Sequence, residues 1–158
     1  MDRVAFSIFG LDIMWYGILI ACGILMAILV SSKEARRLGY QEGQVTDICL
    51  FAIPLGIVGA RLYYVAFNWS QYAGDLREII NIRGGGLAIH GGILAGILTV
   101  WVFTRIKKLE FFRTADILVL GLPMAQAIGR WGNFINGEAH GGPTNLPWAI
   151  LVEGQRVH

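Results

Sequence analysis

The sequence predicts an all-α, polytopic membrane helix bundle, and three observations carry that prediction. Of its 158 residues, 55% are hydrophobic and only 15% are charged, with a mean hydropathy of +0.57, whereas an average soluble domain is roughly 25% charged. The apolar residues gather into four runs, about 13–30, 48–67, 87–104 and 115–131, each near the roughly 20 residues that cross a bilayer as a helix. The 21 glycines exceed the usual share of about 7%, and glycine lets membrane helices approach backbone to backbone. Together these predict one tightly packed transmembrane domain over 1–158.

The elements follow in order. The run Ile13 to Val30 is too long for the apolar part of a secretory signal peptide, and no small-residue cleavage pattern follows it. Instead Lys33, Arg36 and Arg37 follow, which puts the first loop in the cytoplasm and the N-terminus outside. The second span has Asp47 at its inner end and Tyr63, Tyr64 and Trp69 at its outer end. The polar segment Ser70 to Arg83 is then external, and its mixed charges (Asp75, Arg77, Glu78, Arg83) do not oppose that orientation. The third span leads inward to Arg105, Lys107 and Lys108, and the fourth returns outward. A net charge of +2 without a long basic run gives no footing for nucleic acid. Cys22 and Cys49 both fall inside spans and are expected to be buried free thiols.

Chemistry concentrates at the outer ends. Gly129-Arg130-Trp131-Gly132-Asn133-Phe134-Ile135-Asn136-Gly137-Glu138 places a cation, two amides and a carboxylate where an apolar run ends. Ionisable groups near membrane depth are costly and mark sites by default. Glu138 is the expected counter-ion of Arg130, and Asn133, three residues on, shares its helical face. Trp131 and Phe134 suit the headgroup level. His90 opens the third span amid Gly84, Gly85, Gly86, Gly91 and Gly92. Glycines at that density predict irregular backbone, which membranes tolerate only inside protein or along a wet cavity. On this topology His90 and Arg130 can meet.

Arg61, inside the second span, has two readings: snorkelling to the headgroups, or contact with a phosphate. Pro54 precedes Arg61 by seven residues, as Pro123 precedes Arg130. That spacing, with Tyr16-Gly-Ile-Leu set against His90-Gly-Gly-Ile-Leu, raises an internal duplication of two parallel hairpins. Gly92 with Gly96, and Gly121, Ala125 and Gly129, are expected to be packing faces.

The stretches Gly86-Leu-Ala-Ile-His90-Gly-Gly and Gly129 to Glu138, with Trp15-Tyr16-Gly in the first span, resemble the prolipoprotein diacylglyceryl transferases of bacteria. The resemblance implies a multi-pass enzyme of the inner membrane whose site faces outward. It implies transfer of the diacylglyceryl group of phosphatidylglycerol to the lipobox cysteine of a preprolipoprotein signal peptide, with no cofactor or metal. The implied catalytic positions are Tyr16, His90 and Arg130. Those implied to bind substrate are Arg130, Asn133, Asn136, Glu138 and Gly141, with Arg61 added from the phosphate reading. That family's proteins continue through further spans to a second arginine, so the chain is expected to be an N-terminal fragment, cut where Val157-His158 begins a His-Pro motif.

Two other readings compete. A transporter or channel subunit would also carry polar, glycine-broken helices, but such sites lie near the midplane, whereas these residues gather toward one face. A metal held by His90, Glu138 and His140 would follow no helix-borne ligand spacing.

The topology predicts that a cysteine placed at Ser70 is labelled by an impermeant thiol reagent in intact cells, and that one placed at Lys108 is not. Labelling at Lys108 would invert the orientation.

Overall fold

The computed structural model describes residues 4–8, 11–74, 76–82, 85–152 and 154–157. Asp75, Arg83, Gly84 and His158, which figure in the sequence reading, lie outside the described residues. Two short strands, β1 (Val4–Ile8) and β2 (Leu11–Met14), precede the first long helix, α1 (Trp15–Arg37). There follow α2 (Gln44–Phe67), the short α3 (Trp69–Tyr72) and α4 (Leu76–Ile80), then α5 (Ile89–Lys107) and α6 (Phe111–Asn136). Strands β3 (Ile150–Val152) and β4 (Gln155–Val157) close the chain. Among the described residues, four helices, α1, α2, α5 and α6, are long and apolar enough to cross a membrane. They match the four expected spans. The chain forms two compact units, residues 1–31 with 119–158, and residues 32–118.

In the second unit, α2 and α5 pack along a seam without side chains. A Cβ on Gly59 would lie 2.7 Å from the Gly91 carbonyl oxygen and collide with Ala95 Cβ, and one on Gly91 would collide with Gly59 and Tyr63. Gly92 sits opposite Gly56 and Ala60, while a Cβ on Gly96 meets nothing. The packing face is therefore Gly91, Gly92 and Ala95, not the expected pair Gly92 and Gly96. Gly91 and Gly92 are also helical, so among the described residues the irregular backbone expected around His90 lies before α5, over 85–88, with Gly85 and Gly86 at φ of 88° and 76°. At the other end of this unit Ala35, Val45 and Ile117 form a small core with Leu38, Tyr40, Cys49 and Leu118. The Tyr40 hydroxyl and Thr114 Oγ1 lie 3.0 Å apart beside it, and Arg113 Nη2 donates to the Leu38 carbonyl at 2.9 Å.

α1 outlasts its expected span by two turns. Lys33 to Arg37 are its last residues rather than a loop, a place where cations meet the negative end of the helix dipole. Gly39 at φ 83° ends the helix, with Tyr40 N–H donating to the Ala35 carbonyl at 3.0 Å, the six-to-one bond of a glycine-capped C-terminus.

In the first unit α6 packs on α1 through the expected Gly121, Ala125 and Gly129. Gly121 faces the Ala27 carbonyl and Ser31, Ala125 faces Gly23, and Gly129 faces Ile20. Both cysteines are free, but Cys22 is exposed and Cys49 half-buried, which corrects the expectation of two buried thiols. Cys22 lies on an exposed apolar stretch of α1 with Leu25, Met26 and Leu29. The two hairpins were not expected. β1 and β2 pair antiparallel with Ser7 Oγ donating to Asp12 Oδ1. β3 and β4 pair across a turn containing Gly154 at φ 83°, with Val152 and Val157 buried.

The seam generates a stability test. Gly59→Ala places a methyl group against backbone that cannot give and should cost about 1–3 kcal/mol, the scale of overpacking. Gly96→Ala should melt within about 1 kcal/mol of the parent, or above it, since the helix gains from losing glycine. Thermal unfolding of both variants in one detergent checks the pair.

Candidate functional site

The polar motif of the first unit is mostly helix. α6 continues to Asn136, five residues past the expected end of the span, so Arg130, Asn133 and Asn136 occupy its last two turns at i, i+3 and i+6. Gly137 at φ 71° then stops the helix, and Ala139 takes the left-handed region at φ 56°. Glu138 N–H donates to the Asn133 carbonyl at 3.0 Å and Gly137 N–H to that of Phe134 at 3.1 Å, so the end of the helix is capped by its own chain.

Within this turn the expected ion pair does not form. The Glu138 carboxylate accepts from Asn136 Nδ2 at 2.9 Å, and among the described residues the Arg130 guanidinium reaches only the Ala139 carbonyl, through Nη1 at 3.5 Å. The side-chain amide two residues away meets the carboxylate before the guanidinium, nearly two turns back along α6, can do so. Arg130 is left exposed with its donor fork open. Gly132 lies under the ring of Tyr16, whose Cδ2 is 2.8 Å from where a Cβ would stand. Glycine here lets the first turn of α1 bring Tyr16 onto the arginine-bearing end of α6. Trp131 meets Phe134 edge to face at 6.2 Å. Gly141 follows in the loop, its carbonyl 3.0 Å from His140 Nδ1. The first unit thus sets Tyr16 against the end of α6 that bears Arg130, Asn133 and Asn136, with Glu138 on Asn136 and Gly141 further along the loop.

His90 and Arg61 belong to the second unit. His90 is the second residue of α5 and is exposed, with its ring stacked on Tyr63 at 6.1 Å between centroids. Arg61 does not snorkel. It is 5% exposed, and its guanidinium donates to four backbone carbonyls: Glu78 at 2.6 Å, and Ile79, Gly85 and Gly86 each at 2.9 Å. Tyr72 and Tyr64 flank it at 5.0 and 5.9 Å from their ring centroids. Four of the five guanidinium N–H groups are therefore spent on the protein's own chain.

The family model for prolipoprotein diacylglyceryl transferase matches residues 3–158. The chain belongs to that family. Over all 158 residues it is 60% identical to the phosphatidylglycerol–prolipoprotein diacylglyceryl transferase of Clostridioides difficile and 56% identical to that of Finegoldia magna, covering 64% of each relative. The corresponding Listeria innocua protein is 43% identical over 144 residues, 91% of this chain and 52% of the relative. The chain therefore spans just under two thirds of the length of the first two transferases. Within the family's matched region, sequence reasoning missed the seat that Gly59, Ala60, Tyr63 and Tyr64 build for the loop before His90. The available signal was a charged residue placed between small residues and two tyrosines within one turn of a span.

Proposed function

We propose that the protein carrying this chain transfers the diacylglyceryl group of phosphatidylglycerol to the cysteine thiol of a prolipoprotein signal peptide, as the names of its relatives state of them. The site works at the outer leaflet of a bacterial inner membrane, with the N-terminus outside. The reading rests on one observation, the open guanidinium fork of Arg130 at the end of a membrane-length helix beside a glycine-seated tyrosine.

A planar pair of N–H donors matches two phosphate oxygens and needs no metal to do so. In the proposed reaction the cysteine sulfur attacks the glyceryl carbon that bears the phosphate ester. The C–S bond forms as the C–O bond breaks, and glycerol phosphate leaves with the electron pair of that bond. Charge grows on the leaving phosphate, and Arg130 stabilises it more in the transition state than in the bound lipid. The attacking thiol, with a reference pKa of about 8.5, must lose its proton, and His90 is the base that accepts it. Tyr16 supports the lipid beside Arg130. Asn133, Asn136 and Gly141 line the approach of the glycerol headgroup. Glu138 acts on Asn136 rather than on the arginine. A transporter reading draws no comparable support, since it asks for polar groups near the midplane, and Arg130, Asn133 and Asn136 cluster at a helix end.

Arg130→Lys keeps the charge and loses the fork. In diacylglyceryl transfer from phosphatidylglycerol to a lipobox peptide, the folded variant of the full-length protein should lose about 10²-fold or more in kcat, the scale of removing one preorganised donor from a developing charge. Near-normal turnover would reduce Arg130 to a general electrostatic role.

His90→Gln should slow transfer by roughly 10²–10⁴, with lipid binding little changed. A substrate thiol that is already ionised should recover most of that loss, and an equal loss with such a thiol would remove His90 as the base.

A further inference from the structure

The buried Arg61 carries an inference beyond its family's transfer chemistry. Its guanidinium lies inside the second unit, where Glu78 and Ile79 on one side and Gly85 and Gly86 on the other present four carbonyls. Glu78 and Ile79 lie in the last turn of α4, where carbonyls have no intrahelical partner, and Gly85 and Gly86 lie in irregular chain before α5. An unsatisfied carbonyl in a water-poor setting costs free energy comparable to a lost hydrogen bond, and one arginine removes four such costs at once.

The fit is close on both sides. Gly86 sits at φ 76°, and a Cβ there would collide with Arg61 Nη1 and lie 2.8 Å from Tyr64 Cε1. The neighbouring α2 residue completes the attachment. The Ala60 carbonyl accepts from Ala88 N–H at 3.0 Å, and Ala88 is the N-cap of α5. Two residues later comes His90, its ring on Tyr63. Residues 59 to 64 of α2 therefore hold, in order, the first turn of α5, the N-cap of α5, the loop before it, the histidine ring and the glycine at the loop's tightest point.

We infer that Arg61 is a positioning residue, whose guanidinium clamps the backbone at Glu78 and Ile79 and at Gly85 and Gly86 and thereby fixes the entry of α5 and the place of His90. Arg61 touches no reacting atom and is not the phosphate ligand. The consequence for catalysis rests on the reading of His90 as the base; the clamp itself does not.

The test uses the full-length protein in lipid nanodiscs, as parent, Arg61→Lys and Gly86→Ala. The last variant attacks the clamp from the loop side and keeps the arginine, in case Arg61→Lys folds poorly. Amide hydrogen exchange is read over residues 76–104, and transfer kinetics are measured with phosphatidylglycerol vesicles and a lipobox peptide. A lysine cannot span four carbonyls, so exchange in 85–90 should rise about tenfold or more through local opening, while the amides of 95–104 keep their protection. Turnover should fall about 10²-fold, the cost of a misplaced group, with KM for phosphatidylglycerol within about twofold of the parent because uniform binding is untouched. Unchanged exchange with a raised KM would make Arg61 a lipid ligand and overturn the proposal. Raised exchange with parental turnover would overturn its link to His90. Should the parent itself fail to transfer diacylglyceryl groups, the functional reading falls, and exchange at Ala88 alone decides the clamp: protection lost upholds it, protection kept refutes it.

Discussion

Backbone polar groups at membrane depth must find partners within the protein, and the second unit depends on how α2 meets that demand for its neighbours. Where α2 faces α5, glycine removes the side chains and the two backbones touch at Gly59 and Gly91. One residue further along, a main-chain carbonyl of α2 takes the N–H of the α5 cap. A second residue on, a guanidinium takes the carbonyls of a loop that has no ladder of its own. The same few residues of one helix thus solve the problem three ways, and each solution requires the one before it, since the guanidinium reaches Gly85 and Gly86 only because the glycine seam brings α5 that close.

The two arginines show how little equal spacing says about role. Arg61 and Arg130 each follow a helical proline by seven residues, as an internal duplication would have it, yet one is buried with four carbonyl partners and the other exposed with a single long contact. What separates them is the chain that comes next. After α2 the path continues through two short helices and a glycine turn that fold back over Arg61. After Arg130, α6 carries on for six more residues, and the loop beyond it satisfies itself through Asn136, Glu138 and the capping amides. A guanidinium takes its partners from whatever unsatisfied oxygen lies within reach, and reach is set by the following segment rather than by the helix that bears the residue.

The four long helices were legible because twenty-residue apolar runs have one structural outcome in a membrane. Their ends were less so. Charged residues mark where lipid stops, not where hydrogen bonding stops, and α1 runs on through Lys33 and Arg37 as α6 does through Asn133 and Asn136. The hairpins β1–β2 and β3–β4 escaped notice because strands of three to five residues show too few alternations to stand out from an apolar background. The motif at Arg130 was legible as polar residues in the wrong place for lipid. Its internal pairing was not, since a carboxylate eight residues from a guanidinium invites an ion pair until a closer amide is counted.

That closer amide bears on the electrostatics of the whole motif. Had Glu138 paired with Arg130, the site would be neutral, and an incoming phosphate would have to displace a carboxylate at the cost of breaking a charge-assisted bond. With Glu138 engaged by Asn136 at 2.9 Å, the carboxylate is occupied by a neutral donor and the guanidinium keeps an unpaired charge. An unpaired cation at the end of a membrane helix is expensive in the absence of an anion, and in the proposed reaction the headgroup of an anionic lipid supplies that anion. The pairing of two side chains with each other therefore leaves a third free to bind. In the proposed reaction Asn136 therefore has a second part besides facing the headgroup, since its amide holds the carboxylate that would otherwise compete for the arginine.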